Sequence, residues 1–159
     1  MKYVDFEVTF REIPDEITLC INISNCPFKC EGCHSKELWK DIGKELTTSE
    51  LSRLLSKNKG VTCISFMGGD KELDSLLNLL IYVKDSYPNV KTAWYTGRKD
   101  VPLFGFPLFF LDYIKLGPYI KESGPLDNKN TNQRLYKLKQ LDKLFTGFID
   151  ITYKFWKNE

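Results

Sequence analysis

Apolar and polar residues alternate over residues 17–24, "ITLCINIS". Ile17, Leu19, Ile21 and Ile23 share one face, and Thr18, Cys20, Asn22 and Ser24 the other. A period of two predicts a strand with one greasy and one polar face. "TTSELSRLL" (47–55) sets Thr47 three residues before Glu50, a capping-box pattern that starts a helix. "GVTCISFM" (60–67) is rich in β-branched and aromatic residues and predicts a second strand. In "KELDSLLNLLIYVKDSY" (71–87), Leu73, Leu76, Leu77, Leu80 and Tyr87 recur at helical spacing, and Pro88 ends the run. "VKTAWYTG" (90–97) reads as a third strand and "DYIKLG" (112–117) as a fourth. "RLYKLKQL" (134–141) and "GFIDITYKF" (147–155) suggest a terminal antiparallel pair.

The order strand, helix, strand, helix, strand, short connection, strand favours an α/β fold with a parallel sheet and right-handed crossovers. Sites in such folds gather at the C-terminal ends of the strands. Two unusual motifs fall there: a cysteine loop after the first strand, and "GGD" (68–70) after the second. Their side chains are expected to meet on one face of the sheet. No repeat, low-complexity tract or linker divides the chain, so residues 1–159 are expected to form a single domain.

Composition narrows this little. The 159 residues are 42% hydrophobic and 28% charged, with a net charge of +2, as in an ordinary globular domain. No dense Lys/Arg block marks a nucleic-acid partner. "MKYVDFEVTF" lacks the apolar run and cleavage site of a signal peptide. The longest apolar stretch, "VPLFGFPLFFL" (101–111), is too short to span a bilayer and contains Pro102, Gly105 and Pro107. The expected compartment is therefore the cytoplasm, with no membrane partner. In that reducing setting, five cysteines point to metal or catalysis rather than disulfides.

"NCPFKCEGCHS" (25–35) places Cys26, Cys30 and Cys33 in a C-x3-C-x2-C spacing, with His34 directly after. A zinc site would take four N/S ligands, so Cys20 or Cys63 would have to complete it. "CEGCH" matches the attachment signature of c-type haem, but that pathway needs export and leaves Cys26 without a role. A redox dithiol of Cys30 and Cys33 would sit on a helix, whereas Pro27 and Gly32 mark an irregular loop. An iron–sulfur cluster fits best. A four-iron cubane takes four thiolates when fully ligated, and three leave one iron open for a substrate.

The cysteine spacing followed by a Gly-Gly-acidic motif resembles the radical S-adenosylmethionine (SAM) superfamily. Further segments, "CEGCHSKELW" (30–39), "FMGGD" (66–70), "AWYTG" (93–97), "DYIKLGPYIKE" (112–122) and "TNQRLYKL" (131–138), are similar in order to the activases of anaerobic ribonucleoside-triphosphate reductase. Residues 139–159 lie outside these segments, as a C-terminal extension. Gly32, where the superfamily often has an aromatic residue, and Asp70, where it commonly has Glu, are tolerated in this branch.

The resemblance implies an incomplete (β/α) barrel of the radical SAM type. It also implies an oxidoreductase holding a [4Fe-4S] cluster and SAM, which generates a glycyl radical on the reductase and takes its electron from a flavodoxin- or ferredoxin-like donor. Its cluster ligands would be Cys26, Cys30 and Cys33. SAM would meet Gly32, Cys33 and His34 on one side, Gly68, Gly69 and Asp70 at its methionyl end, and Thr96 at its ribose or carboxylate.

Each role has a plainer counterpart. Asp70 could be a helix N-cap, His34 a solvated histidine, and Thr96 an ordinary strand-end residue. Asn132, Gln133 and Arg134 match the resemblance without a defined role. Cys20 and Cys63 read as buried strand thiols, and the aromatic run 104–110 as core. Two other activities stay open: activation of a different glycyl radical enzyme such as pyruvate formate-lyase, and non-catalytic electron transfer.

Overall fold

The four strands marked out by alternation and β-branching become the parallel centre of one sheet. The computed structural model describes residues 1–101, 108–140 and 146–156. Its strands are β1 (Lys2–Thr9), β2 (Thr18–Ile23), β3 (Lys44–Glu45), β4 (Cys63–Met67), β5 (Lys91–Tyr95), β6 (Tyr113–Leu116), β7 (Arg134–Gln140) and β8 (Thr146–Asp150). Two helices, α1 (Thr48–Lys57) and α2 (Leu73–Ser86), complete a mixed α/β fold. The sheet order is β3-β1-β2-β4-β5-β6-β7-β8. Strands β2, β4, β5 and β6 are parallel. Antiparallel β1 and β3 flank them on one side and the β7–β8 hairpin on the other. No pairing among the described residues joins the edges β3 and β8. None of the described helices is long and apolar enough to cross a membrane.

Both helices cover one face of the sheet. Leu51, Leu54 and Leu55 of α1 and Leu76, Leu79, Leu80 and Val83 of α2 are buried against Leu19, Ile21, Ile23, Ile64, Phe66, Trp94 and Ile114. Each such side chain contributes about 1.5–3 kcal/mol on burial. Thr47 caps α1, accepting from the Glu50 N–H at 3.2 Å. The reciprocal half of the capping box is diverted: the Glu50 carboxylate turns instead to Tyr3, Arg53 and Lys44.

The polar face expected of β2 is buried as well, with Thr18 and Cys20 both enclosed. A second core lies on that side, built from Ile13, Cys63, Ala93, Tyr95, Tyr113, Leu135 and Ile151. A parallel strand covered on both faces need not be apolar on both, provided its polar side chains are small. Strand β1 escapes the sequence pattern. Its Tyr3 is buried, but Val4, Phe6 and Val8 stay exposed, so no clean inside–outside alternation announces it. Cys20 and Cys63 are buried free thiols, as expected, and burial pushes both well above the usual thiol range. Of the aromatic run, 104–107 lies outside the described residues, Phe110 packs against the main core and Phe109 is exposed.

Candidate functional site

The cysteine loop leaves the C-terminal end of β2 and is pinned at its base. Asn25 N–H donates to Lys40 O (2.9 Å) and Cys26 N–H to Leu38 O (2.8 Å), so residues 25–40 close on themselves. Asn25, Lys29 and Gly32 adopt positive φ, at 64°, 46° and 76°, which curls the chain tightly between the cysteines. Lys71, just past "GGD", donates to Asn25 Oδ1 at 2.9 Å and fastens the two motifs together. Burial pushes the Cys26 thiol up, while hydrogen bonds from the Phe28 and Lys29 backbone N–H groups work the other way and favour a thiolate there.

The second motif follows β4. Gly68 has φ +118° and lies against the Ile23 carbonyl, where an added Cβ would stand 3.2 Å from that oxygen. Its own carbonyl accepts from Trp94 Nε1 at 2.8 Å, which fixes the turn to β5. Asp70 caps no helix: the residue at the start of α2 is Glu72, which makes no side-chain cap bond. Instead the Asp70 carboxylate is buried, accepting from the Thr96 hydroxyl and from Arg98 Nε at 3.1 Å. Arg98 Nη2 also donates to the Asp70 carbonyl at 3.2 Å. Burial pushes the Asp70 carboxyl above its usual range, against the opposing pull of Thr96 and Arg98.

Strand ends β5 and β6 complete the wall. Thr96 N–H donates to Lys115 O (3.0 Å) and Gly117 N–H to Arg98 O (2.6 Å). Gly97 presses on the cysteine loop: a Cβ there would lie 2.5 Å from a ring carbon of Phe28. Lys115 is buried at 9% exposure, with Nζ donating to Gly117 O at 2.8 Å and Thr96 O at 3.4 Å.

These pieces line a cavity of about 230 Å³ that is partly open to solvent, several times the roughly 30 Å³ of one liquid water. Cys26, Cys30 and Cys33 line it together with Gly68, Asp70 and Thr96, so both motifs do meet at one end of the sheet. Gly32, His34 and Gly69 are not among the lining residues. Gly32 and His34 lie against Tyr119, which does line the cavity. Gly69 faces Met1 and Leu76. Of the undefined trio, Gln133 lines the cavity, while Asn132 binds Pro118 O and Arg134 the carbonyls of Thr131 and Gln133.

Sequence reasoning missed Phe28, Trp39, Tyr95, Arg98 and Lys115. For Lys115 a signal existed. A lysine inside an otherwise apolar strand needs a reason, because lysine is almost never fully buried without a partner.

The donor set fits a polynuclear iron–sulfur group. Cys26, Cys30 and Cys33 all line one cavity. Trp39 also lines the cavity, and its buried Nε1–H has no partner among the described residues. Indole N–H is a donor only, so a sulfur-rich guest would suit it. Among the described residues, no three His, Cys, Asp or Glu side chains converge closely enough to share a single ion. A cubane spreads its thiolates over separate corners and needs no such convergence. Cys20 and Cys63 do not line the cavity.

Comparison with known proteins agrees with this chemistry. The family described as "4Fe-4S single cluster domain" matches residues 17–103. Over 125 residues the chain is 28% identical to the anaerobic ribonucleoside-triphosphate reductase-activating protein of Enterobacteria phage T4, covering 72% of this chain and 80% of that protein. No solved structure matches.

Proposed function

This chain belongs to the 4Fe-4S single cluster domain family, and from that premise we propose that it is a radical SAM activase of an anaerobic ribonucleoside-triphosphate reductase. The observation that carries the reading is the shared cavity: Cys26, Cys30 and Cys33 line one partly open space together with Gly68 and Asp70 of the "GGD" turn and the end of β5. When bound, a reduced [4Fe-4S] cluster would supply the single electron that splits SAM into methionine and the 5′-deoxyadenosyl radical, which takes a hydrogen atom from a glycine of the reductase.

The chain's own residues prepare that chemistry. Cys26, Cys30 and Cys33 would be the ligands of the cluster, and the absence of Cys20 and Cys63 from the cavity lining supports an iron left open to SAM. Asp70, a carboxylate kept in place by Thr96 and Arg98, would receive the ammonium group of SAM. Backbone at Gly68 and Cys33 would approach the rest of the cofactor closely, while Gly32, His34 and Gly69 would shape the turns that carry them. Thr96 would act through Asp70 rather than on the ribose, because its hydroxyl already donates to that carboxylate. Phe28, Trp39 and Tyr119 would exclude water.

On this reading the parallel strands β2, β4, β5 and β6 are the arc of an incomplete (β/α) barrel within a single domain spanning 1–159. A closed barrel needs about eight parallel strands, so the reductase would cover the open side. The reaction belongs in the cytoplasm, with a flavodoxin- or ferredoxin-like protein as electron donor.

The test is anaerobic mixing of reconstituted protein, reductant, SAM and the candidate reductase, read by electron paramagnetic resonance. The expected result is a glycyl radical on the reductase that requires SAM and Cys30. Cleavage of SAM without that radical, alongside activation of pyruvate formate-lyase or another glycyl radical enzyme, would overturn the choice of target. A cluster that does not respond to SAM would overturn the activase and leave an electron carrier.

A further inference from the structure

Lys115 is the one cavity residue whose charge the activase reading leaves unused. It sits on β6, on the same side as Tyr113 and opposite Ile114, so strand geometry aims it away from the helices and into the sheet's other face. It is 9% exposed, and burial lowers its pKa to about 8. The groups that pull the other way are, in order, Cys30, Asp70, Glu12 and Cys26. Two of these are cluster thiols. Asp70 is already paired with Arg98.

The ammonium has little else to do. No carboxylate among the described residues forms an ion pair with it. Its partners are two backbone carbonyls, Gly117 O and Thr96 O, and the Tyr95 ring with its centroid 5.8 Å away. A buried ammonium bonded only to neutral acceptors keeps much of its desolvation cost, and Asp70 and Glu12 offset only part of it. Three thiolates across the same cavity would compensate it.

We propose that Lys115 is a positioning residue for charge: its buried ammonium is the counter-charge to a cluster held by Cys26, Cys30 and Cys33, and it eases that cluster's one-electron reduction. The proposal rests on the cluster assignment above. The step adds one electron from an external donor, with no proton and no bond broken, so the site becomes one unit more negative. A fixed positive charge stabilises the reduced form more than the oxidised one. At an effective dielectric of about 20, a unit charge as far as about 12 Å away changes a one-electron equilibrium by roughly tenfold. Lys115 is only 9% exposed, which limits how far solvent can screen it.

The test is a redox titration of the reconstituted cluster without SAM, using dithionite and mediators, followed by electron paramagnetic resonance. It compares wild type with Lys115→Met, Lys115→Gln and Lys115→Arg. In the Met and Gln variants the ratio of reduced to oxidised cluster at a fixed poise should fall about tenfold, a downward shift of about 59 mV for one electron. The Arg variant should stay near wild type. If Met and Gln fail to load a cluster while Arg loads it, the counter-charge is needed even earlier, and the proposal stands.

Loading by all variants with no change in potential overturns it. So does an unchanged potential with weakened SAM binding, which would make Lys115 a ligand for the SAM carboxylate. Failure of Arg along with Met and Gln would mark a purely steric role and also overturn it. A wild-type chain that takes up no cluster would instead remove the underlying cluster assignment, a distinguishable failure.

Discussion

Replacing Gly97 by Ala tests whether the end of β5 shapes the cysteine loop. Gly97 has an ordinary backbone conformation, so alanine carries no φ penalty there. The cost is steric. The new Cβ would stand 2.5, 2.7 and 3.0 Å from three carbons of the Phe28 ring. Carbon atoms settle at about 3.5–4.0 Å, so the ring must retreat by about 1 Å. Phe28 lies midway between Cys26 and Cys30, in a segment curled by positive φ at Asn25 and Lys29. Its retreat therefore displaces two thiols. Overpacking of this kind costs about 1–3 kcal/mol.

The assay is urea unfolding of the apo protein in a double-mutant cycle with Phe28→Ala, together with iron and sulfide content after reconstitution. Gly97→Ala alone should lower stability by about 1–3 kcal/mol and reduce cluster loading. In the Phe28→Ala background, the same change should cost less by most of that amount. Additivity within about 0.5 kcal/mol would refute the reasoning, because the penalty would then have a source other than the ring.

Replacing Cys26, Cys30 or Cys33 by Ala should abolish a normally reconstituted four-iron cluster, while Cys20→Ala and Cys63→Ala retain it; iron content and visible absorbance read the difference. Loss in a folded Cys63→Ala protein would make that thiol a ligand and close the fourth position. Asp70→Asn keeps an oxygen for the Thr96 hydroxyl but removes the charge, so cluster formation should survive. A charged hydrogen bond is worth about 1.5–3 kcal/mol, so SAM affinity should fall roughly tenfold to a hundredfold, measurable by equilibrium binding. Unchanged affinity would assign Asp70 to holding Thr96 and Arg98 alone. At the other end of the strands, Glu16 is buried, accepting from Thr62, Tyr113 and Lys91. Burial would push its carboxyl up, but these donors outweigh it and hold the carboxyl below its usual range. A depressed carboxylate stabilises above its unfolded pKa, and that stability is lost as pH falls through the folded value. Urea midpoints at pH 7, 5 and 3 should therefore fall less steeply in Glu16→Gln than in wild type, and equal slopes would refute the pairing.

How legible the site was depended on how far apart its partners lie in the chain. The cysteine spacing could be read because its chemistry lies within eight consecutive residues, and "GGD" because it ends an evident strand. Parallel strand order then brought both motifs to one end of the sheet without any knowledge of contacts. The β7–β8 hairpin was readable for the same local reason. What was hidden is non-local. The N-cap alternative for Asp70 stayed open in the sequence because a helix follows it, yet its carboxylate is claimed by Thr96 and Arg98, 26 and 28 residues away. The Phe28 ring gives no hint in the sequence that it will rest on Gly97. Gly32, His34 and Gly69 adjoin lining residues in the chain but do not line the cavity themselves. The "IKL" of β6 needed its alternation taken literally. If Ile114 faces the helices, Lys115 must face the other side, and at the C-terminal end of a parallel strand that side is where the thiols are. Local pattern thus located the site, while its charge balance depends on contacts between strands and could be assigned only from the folded chain.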